Sequence, residues 1–338
     1  MKFKKIASLF LACALSAGLL AGCGDNGGAA TPAPGGGNGG AAATDWPKEN
    51  INFMITHSAG GDTDYNARLL GRLLQEKLGV TVVSTNVTGS NGSICMTQYK
   101  DGTPDGYTFV LTNTAALSGN EATGLSDFGY DAFEPVCIYG KQSGENIVVP
   151  ADSPYNTLQE LVDAAKAAPG SIRFGISTGG GVYIESVIMQ QATDSAFNII
   201  DTGDAADRLA SLLGGQTDVS SLPYATASEY IEAGQLKSLC TVMSQSPDLL
   251  DQPSASETIP DLVMDTLYVV LAPKGTPAEV VEAMNAAILD VVNNSAEYKE
   301  EVNSFNFQNP WALSVADTVA ELDNQRTLFM SYSDLLQG

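Results

Sequence analysis

Apolar residues alternate with shorter or polar ones at Ile51, Phe53 and Ile55, over a run too short for a typical helix, which predicts a buried strand. Further on, Ala67, Leu70, Leu74 and Leu78 recur about one turn apart and predict an amphipathic helix with one face on a sheet. Between them, Ser58-Ala59-Gly60-Gly61 lets the backbone turn sharply and come close to a partner, and Asp62, Thr63 and Asp64 are types that favour a helix N-cap. The stretch from Ile51 to Leu78 therefore reads as strand, glycine turn and helix.

The pattern continues with a strand at Val80–Ser84, a second glycine loop at Asn86–Ser93 before a helical run, and the turn Pro104-Asp105-Gly106 leading into a strand at Tyr107–Thr112. Strand, helix, strand, helix, strand is the order of an α/β domain with a mainly parallel sheet and loops along one edge. Near Glu134 to Val149 the pattern restarts. Asn156 to Glu160 carries a capping signal for a helix running to Ala168, which Pro169-Gly170 ends. Ile172, Phe174 and Ile176 alternate as a strand, Ser177-Thr178-Gly179-Gly180-Gly181 forms a turn, and Ile184, Val187, Ile188 and Gln191 mark a helix face. The two units share no close sequence identity, so the repeat is architectural: two domains, each offering a glycine turn to a shared cleft.

A strand ending in a glycine turn that opens a helix aims unpaired N–H groups and the positive end of the helix dipole at one spot, which attracts anions. An ordinary turn without ligand is the alternative for either unit alone. Neither a dinucleotide fingerprint nor a P-loop is present, since no G-x-G-x-x-G follows the strand and no Lys-Ser/Thr follows the glycines. No cofactor is expected.

The N-terminus is different in kind. Met1-Lys2-Phe3-Lys4-Lys5 is basic, Ile6 to Leu20 is almost entirely apolar, and Leu20-Ala21-Gly22-Cys23 follows, the order of a secretory signal. That tetrapeptide resembles the bacterial lipobox, which implies cleavage before Cys23, lipid on that cysteine and anchoring to the bilayer. Residues 1–22 are thus a leader, and residues 23–45, mostly Gly, Ala, Pro, Thr and Asn, a flexible tether.

Charge narrows the partners. The chain carries 39 acidic and 16 basic residues, a formal charge of −23, and loss of the leader would remove Lys2, Lys4 and Lys5. This balance argues against nucleic acid and suits an exposed, soluble protein. Roughly 290 residues remain, enough for two ordinary domains. Cys95, Cys137 and Cys240 are odd in number and widely spaced, so they read as small apolar residues rather than disulfides or metal ligands. His57 is the only histidine, and a zinc site or a Ser-His-Asp triad would depend on it. Ser58 beside it offers a nucleophile, but neighbours at a strand end point to opposite faces, so an enzyme is not the favoured reading.

Several strings then occur in a telling order. Ala59-Gly60-Gly61-Asp62-Thr63-Asp64 with Ala67-Arg68, Asn86 with Gly89 and Gly92, and Pro104-Asp105-Gly106-Tyr107 are followed by Phe133-Glu134-Pro135-Val136, Leu212-Leu213-Gly214-Gly215-Gln216 with Asp218, Glu232-Ala233-Gly234 and Ala272-Pro273-Lys274-Gly275-Thr276-Pro277. Over about residues 46 to 335 this set resembles the tripartite tricarboxylate transporter receptors, the Bug-type solute-binding proteins. The resemblance implies a two-lobe periplasmic-binding-protein-like (Venus flytrap) α/β fold with two interlobe crossings. Lobe 1 would comprise residues 46–144 and 267–338, and lobe 2 residues 145–266. It implies a lipid-anchored extracytoplasmic receptor that binds a small carboxylate between the lobes and delivers it to membrane transporter subunits. A sensory lipoprotein presenting the same ligand to a membrane signalling partner is the alternative.

The candidate ligand-binding residues are His57, Ser58, Ala59, Gly60, Gly61, Thr63 and Asp64 at the first turn, Asn113 and Thr114 on the same edge, Ser177, Thr178, Gly179 and Gly180 at the second turn, and Asp204. No catalytic or metal-ligating residue is assigned. Two departures from the family pattern bear on the ligand. Where the family often has Val-Pro-Tyr-Lys-Gly, this chain has Ile200-Asp201-Thr202-Gly203-Asp204, so a lysine for a second carboxylate is missing and two acids stand there. His57 stands where an aromatic or proline is usual, and Asp62 is added. Asp204 as a plain helix cap and His57 as a packed ring are the structural alternatives. A citrate-like polyanion would be repelled by these acids, so an amphoteric carboxylate, with an amine, amide or hydroxyl facing an acid, fits better.

Overall fold

A computed structural model describes residues 45–142, 144–178, 180–244, 252–306 and 308–337. The leader, Cys23, the tether up to residue 44, and Gly179 lie outside the described residues. In chain order the elements are β1 (Ile51–Ile55), α1 (Asp62–Leu78), β2 (Val82–Asn86), α2 (Ser93–Tyr99), β3 (Thr108–Asn113), α3 (Thr114–Ala122) and β4 (Phe133–Lys141). Next come β5 (Glu145–Pro150), α4 (Leu158–Ala167), β6 (Arg173–Ile176), α5 (Gly181–Thr193), β7 (Asn198–Asp201), α6 (Ala205–Leu213), β8 (Val219–Pro223), α7 (Tyr224–Glu232) and β9 (Leu236–Thr241). The chain closes with β10 (Leu267–Pro273), α8 (Ala278–Asn294), α9 (Ala296–Asn306), α10 (Val315–Met330) and α11 (Ser333–Gln337).

The strands form two five-stranded sheets, ordered β2-β1-β3-β10-β4 and β7-β6-β8-β5-β9. The two orders correspond strand for strand, with β1 matched by β6, β2 by β7, β3 by β8, β10 by β5 and β4 by β9. In each sheet one strand is reversed: β10 runs antiparallel to β3 and β4, and β5 to β8 and β9. The sheets are thus mixed rather than purely parallel. These reversed strands are the ones that follow the two crossings, because a chain leaving one sheet at its cleft edge enters the other from the same edge. The crossings are hydrogen-bonded together where Gln142 N–H donates to Thr266 O at 2.8 Å.

Apolar periodicity accounts for the layers. The first sheet buries Phe53, Phe109 and Val270 under Leu70 and Leu74 of α1 and Met284 and Ile288 of α8, while Val110, Ile138 and Val269 face a second layer with Met96, Leu117 and Leu322. The second sheet buries Ile147, Phe174 and Val219 with Leu161, Ile184 and Ile188 on one face, and Val148 and Leu222 with Leu212 and Ala227 on the other. Phe329 of α10 and Leu336 of α11 also belong to this second core, so the C-terminus reaches across to it. Cys95, Cys137 and Cys240 are free thiols buried among apolar neighbours, and burial pushes each of them up to about 12.

Candidate functional site

The two glycine turns share a closing hydrogen bond and an N-cap conformation. In the first, Gly61 N–H donates to Ser58 O at 3.3 Å; in the second, Gly180 N–H donates to Ser177 O at 2.9 Å. Gly61 is the N-cap of α1 with φ −83° and ψ 170°, and Gly180 the N-cap of α5 with φ −86° and ψ 162°. Neither helix start has a side-chain cap, and in α5 Tyr183 N–H donates to Gly180 O at 3.1 Å. Asp62, Thr63 and Asp64 lie inside α1 rather than capping it. Asp64 instead folds back: its carboxylate accepts from Gly60 N–H at 2.9 Å, Arg68 Nε at 2.8 Å and Asn86 Nδ2 at 2.8 Å. Gly60 sits at φ +86°, where a side chain would be strained.

Both turns line one cleft of about 1130 Å³ at the carboxyl ends of the parallel strands, the edge where open α/β sheets take ligands. His57, Ser58, Ala59, Gly60, Gly61, Thr63, Asn113, Ser177, Gly180 and Asp204 line it. Asp64 and Thr114 stand behind the wall: Asp64 braces the first turn, and Thr114 Oγ1 accepts from Leu267 N–H at 3.0 Å. Thr178 turns to Asp201, donating to Oδ2 at 2.6 Å, and is not among the lining residues.

Two other helix starts at the cleft, those of α3 and α6, are closed by their own side chains, whereas α2 and α7 also begin there, on Gly92 and Pro223, without a side-chain cap. Asn113 Oδ1 accepts from Ala116 N–H at 2.8 Å, while its Nδ2 donates to Thr63 Oγ1 at 3.1 Å. Asp204 Oδ1 accepts from Ala206 N–H at 3.0 Å and Asp207 N–H at 3.2 Å, so this residue is a cap as well as a lining group. His57 is not paired with Ser58: its Nδ1 lies 2.7 Å from Thr56 Oγ1, and Asn113 Nδ2 lies 3.5 Å from Nε2. Burial lowers the imidazole from 6.5 to about 4, against hydrogen bonding from Asn91 and the charge of Asp204, so the ring is neutral at physiological pH.

Sequence reasoning missed Glu145, Gln142, Arg208 and Tyr268, all of which line the cleft. Glu145 opens β5 and Tyr268 lies near the start of β10, so only the reversal of those strands brings them to the ligand edge. Arg208 lies four residues beyond Asp204 and points back into the cleft, donating from Nε to Ser221 O at 3.0 Å and from Nη1 to Gly203 O at 3.3 Å. Its Nη2 lies 3.5 Å from Glu145 Oε1. Behind it Glu185 is 1% exposed. Burial lifts Glu145 to about 7, opposed by Arg208 and aided by Asp62, and lifts Glu185 to about 8, aided by Glu145. A sequence signal did exist: an acid heads the apolar strand Glu145–Pro150, and Arg208 interrupts a helix otherwise rich in Ala and Leu.

Comparison with known proteins agrees with this architecture. The family model for the tripartite tricarboxylate transporter family receptor matches residues 66–326. Protein BugT of Bordetella pertussis is 27% identical over 263 residues, covering 75% of this chain and 80% of BugT. Among solved structures, R. palustris Rpa4515 with adipate has a TM-score of 0.77 at 22% identity, covering 86% of this chain and 98% of that one. MatC from Rhodopseudomonas palustris with bound malate has a TM-score of 0.74 at 18% identity, covering 85% of this chain and all (100%) of that one. With a family match over most of its length and a two-lobe fold shared with these proteins, the chain belongs to the tripartite tricarboxylate transporter receptor family.

Proposed function

We propose that this receptor works outside the cytoplasm, anchored through lipid on Cys23, and binds a small carboxylate between its lobes for delivery to membrane transporter subunits. The observation that carries the reading is the pair of Ser-to-Gly turns with matching hydrogen bonds and N-cap angles. Among the helices that start in this cleft without a side-chain cap, α1 and α5 begin on matching Ser-to-Gly turns, while Asn113 and Asp204 cap their own helices. A ligand carboxylate takes the place of the side-chain cap that neither α1 nor α5 has, and the helix dipoles favour its charge. Ser58, Ala59 and Gly61 offer the lobe-one side of this clamp, and Ser177 and Gly180 the lobe-two side. The adipate and malate in the similar structures are acids of this size class.

Binding across the cleft implies motion. Lobes of residues 46–144 with 267–338, and of 145–266, joined by two crossings and by the C-terminal end packed on the second core, open without ligand and close around it. Native mass spectrometry of gently purified protein identifies a retained acid, and small-angle scattering with that acid then shows a smaller radius of gyration. An unchanged radius at saturation would remove the hinge from this account.

A further inference from the structure

The cleft holds a charge imbalance that a simple carboxylate does not relieve. Arg208 is the only cation among its described lining residues, against Asp62, Glu145, Asp204 and Glu229. Arg208 is 5% exposed, and the Glu145 side chain keeps 13% of its surface. Its Oε2 has no hydrogen-bond partner, and neither has Oε2 of Glu185 behind it. Two buried carboxylates therefore share one guanidinium, which already gives two of its donors to Ser221 O and Gly203 O. Asp62, held by Gln142 Nε2 at 2.7 Å, adds negative charge from the opposite lobe. The deficit is one positive charge, which a proton or a ligand cation fills. Among the described residues no group of three or more His, Cys, Asp or Glu could hold a metal ion.

We propose that Glu145 receives an ammonium group of the ligand, so that the receptor selects a zwitterion, with carboxylate on the glycine turns and amine beside Glu145, over the dicarboxylate of equal length. This rests on the carboxylate-receptor reading and adds the substrate class. An arriving ammonium gives Glu145 the hydrogen bonds it lacks and displaces the proton that otherwise neutralises the pair. The charged or titratable groups facing that pair are Arg208 of α6, Asp62 of α1 and Cys240 of β9. A second ligand carboxylate meets Glu145 and Asp62 there, and must compete with Glu145 for Arg208.

Calorimetry tests this with amino acids having one to five carbons between amine and carboxylate, each matched by the monocarboxylate without the amine and the dicarboxylate of equal length. The wild type should bind an aminated member at least tenfold more tightly than its two matches. Glu145→Gln, close to isosteric, should lower that affinity at least tenfold and leave the monocarboxylate within about twofold. On the unaltered protein near neutral pH, buffers of different ionisation enthalpy should show a proton released as the amino acid binds, which does not depend on the variant folding. Tightest binding of a dicarboxylate, or proton uptake with the amino acid, overturns the inference but leaves the carboxylate reading standing. Binding of no panel member removes both.

Discussion

Arg208→Met keeps a long apolar stem but takes the one cation from beside Glu145 and Glu185. Removing one partner of a buried ion pair typically costs ~3–5 kcal/mol, because the remaining charge is left uncompensated. Here that cost depends on pH, since the stranded carboxyls can take up protons. Burial already lifts Glu145 from 4.5 to about 7 and Glu185 to about 8, and both rise further without the guanidinium that holds them down. At about pH 5.5 both groups are protonated with or without Arg208, and the variant loses chiefly the two donors to Ser221 O and Gly203 O, worth about 1–3 kcal/mol. At about pH 8.5 the wild type keeps an ion pair that the variant cannot form, and the full ~3–5 kcal/mol applies. Urea unfolding of both proteins at the two pH values reads the difference. Arg208→Met with Glu145→Gln should recover part of the loss at the higher pH only. Equal losses at both pH values, or a loss under about 1 kcal/mol at the higher one, would refute the charge balance described here.

Four further outcomes follow from the site. In the wild type, the raised carboxyls bind more protons folded than unfolded, so their contribution is complete below 4.5 and lost as pH rises through about 7 to 8; His57, lowered from 6.5 to about 4, acts oppositely, its contribution being lost as pH falls through that window. His57→Gln should therefore flatten the acid limb of a stability-against-pH curve measured by thermal melting. Gly180→Val keeps an allowed φ but places its Cβ 3.1 Å from Ser177 O, so the turn has to shift and ligand affinity should fall tenfold or more. By contrast, Gly60→Val at φ +86° costs about 1–2 kcal/mol of backbone strain, so melting and affinity should fall together. Asp204→Asn preserves the cap, because Asn caps as well as Asp, and calorimetry should show affinity within about twofold; a tenfold loss would place the amine at Asp204 instead of Glu145.

Local chemistry explains what the sequence shows and what it hides. Strand β1 and helix α1 fall where alternation and the stripe from Ala67 to Leu78 put them, since both patterns are read within a few turns of chain. Strand β2 lies at Val82–Asn86 rather than Val80–Ser84, because pairing with β1 sets the register: Ile51 meets Val82 and Ile55 meets Asn86. The turn at Ser58–Gly61 is legible because Gly60 sits at φ +86°, a conformation that favours glycine. Thr114 and Asp64 show the limit: both lie at the right edge, yet their side chains are taken up by Leu267 N–H and Gly60 N–H. Glu145 and Arg208 were hidden for the opposite reason. Their meeting depends on β5 running against β8, with Glu145 paired to Pro223, a non-local fact that no local pattern carries.

The central claim is that a ligand carboxylate closes the two uncapped turns. The most direct measurement is calorimetry of the unaltered protein with small carboxylic acids and amino acids, each beside its methyl ester, which keeps shape and removes the negative charge. The account predicts that the acid retained by the protein binds and that its ester loses at least tenfold, about 1.4 kcal/mol. An ester that binds as tightly as its acid would contradict it.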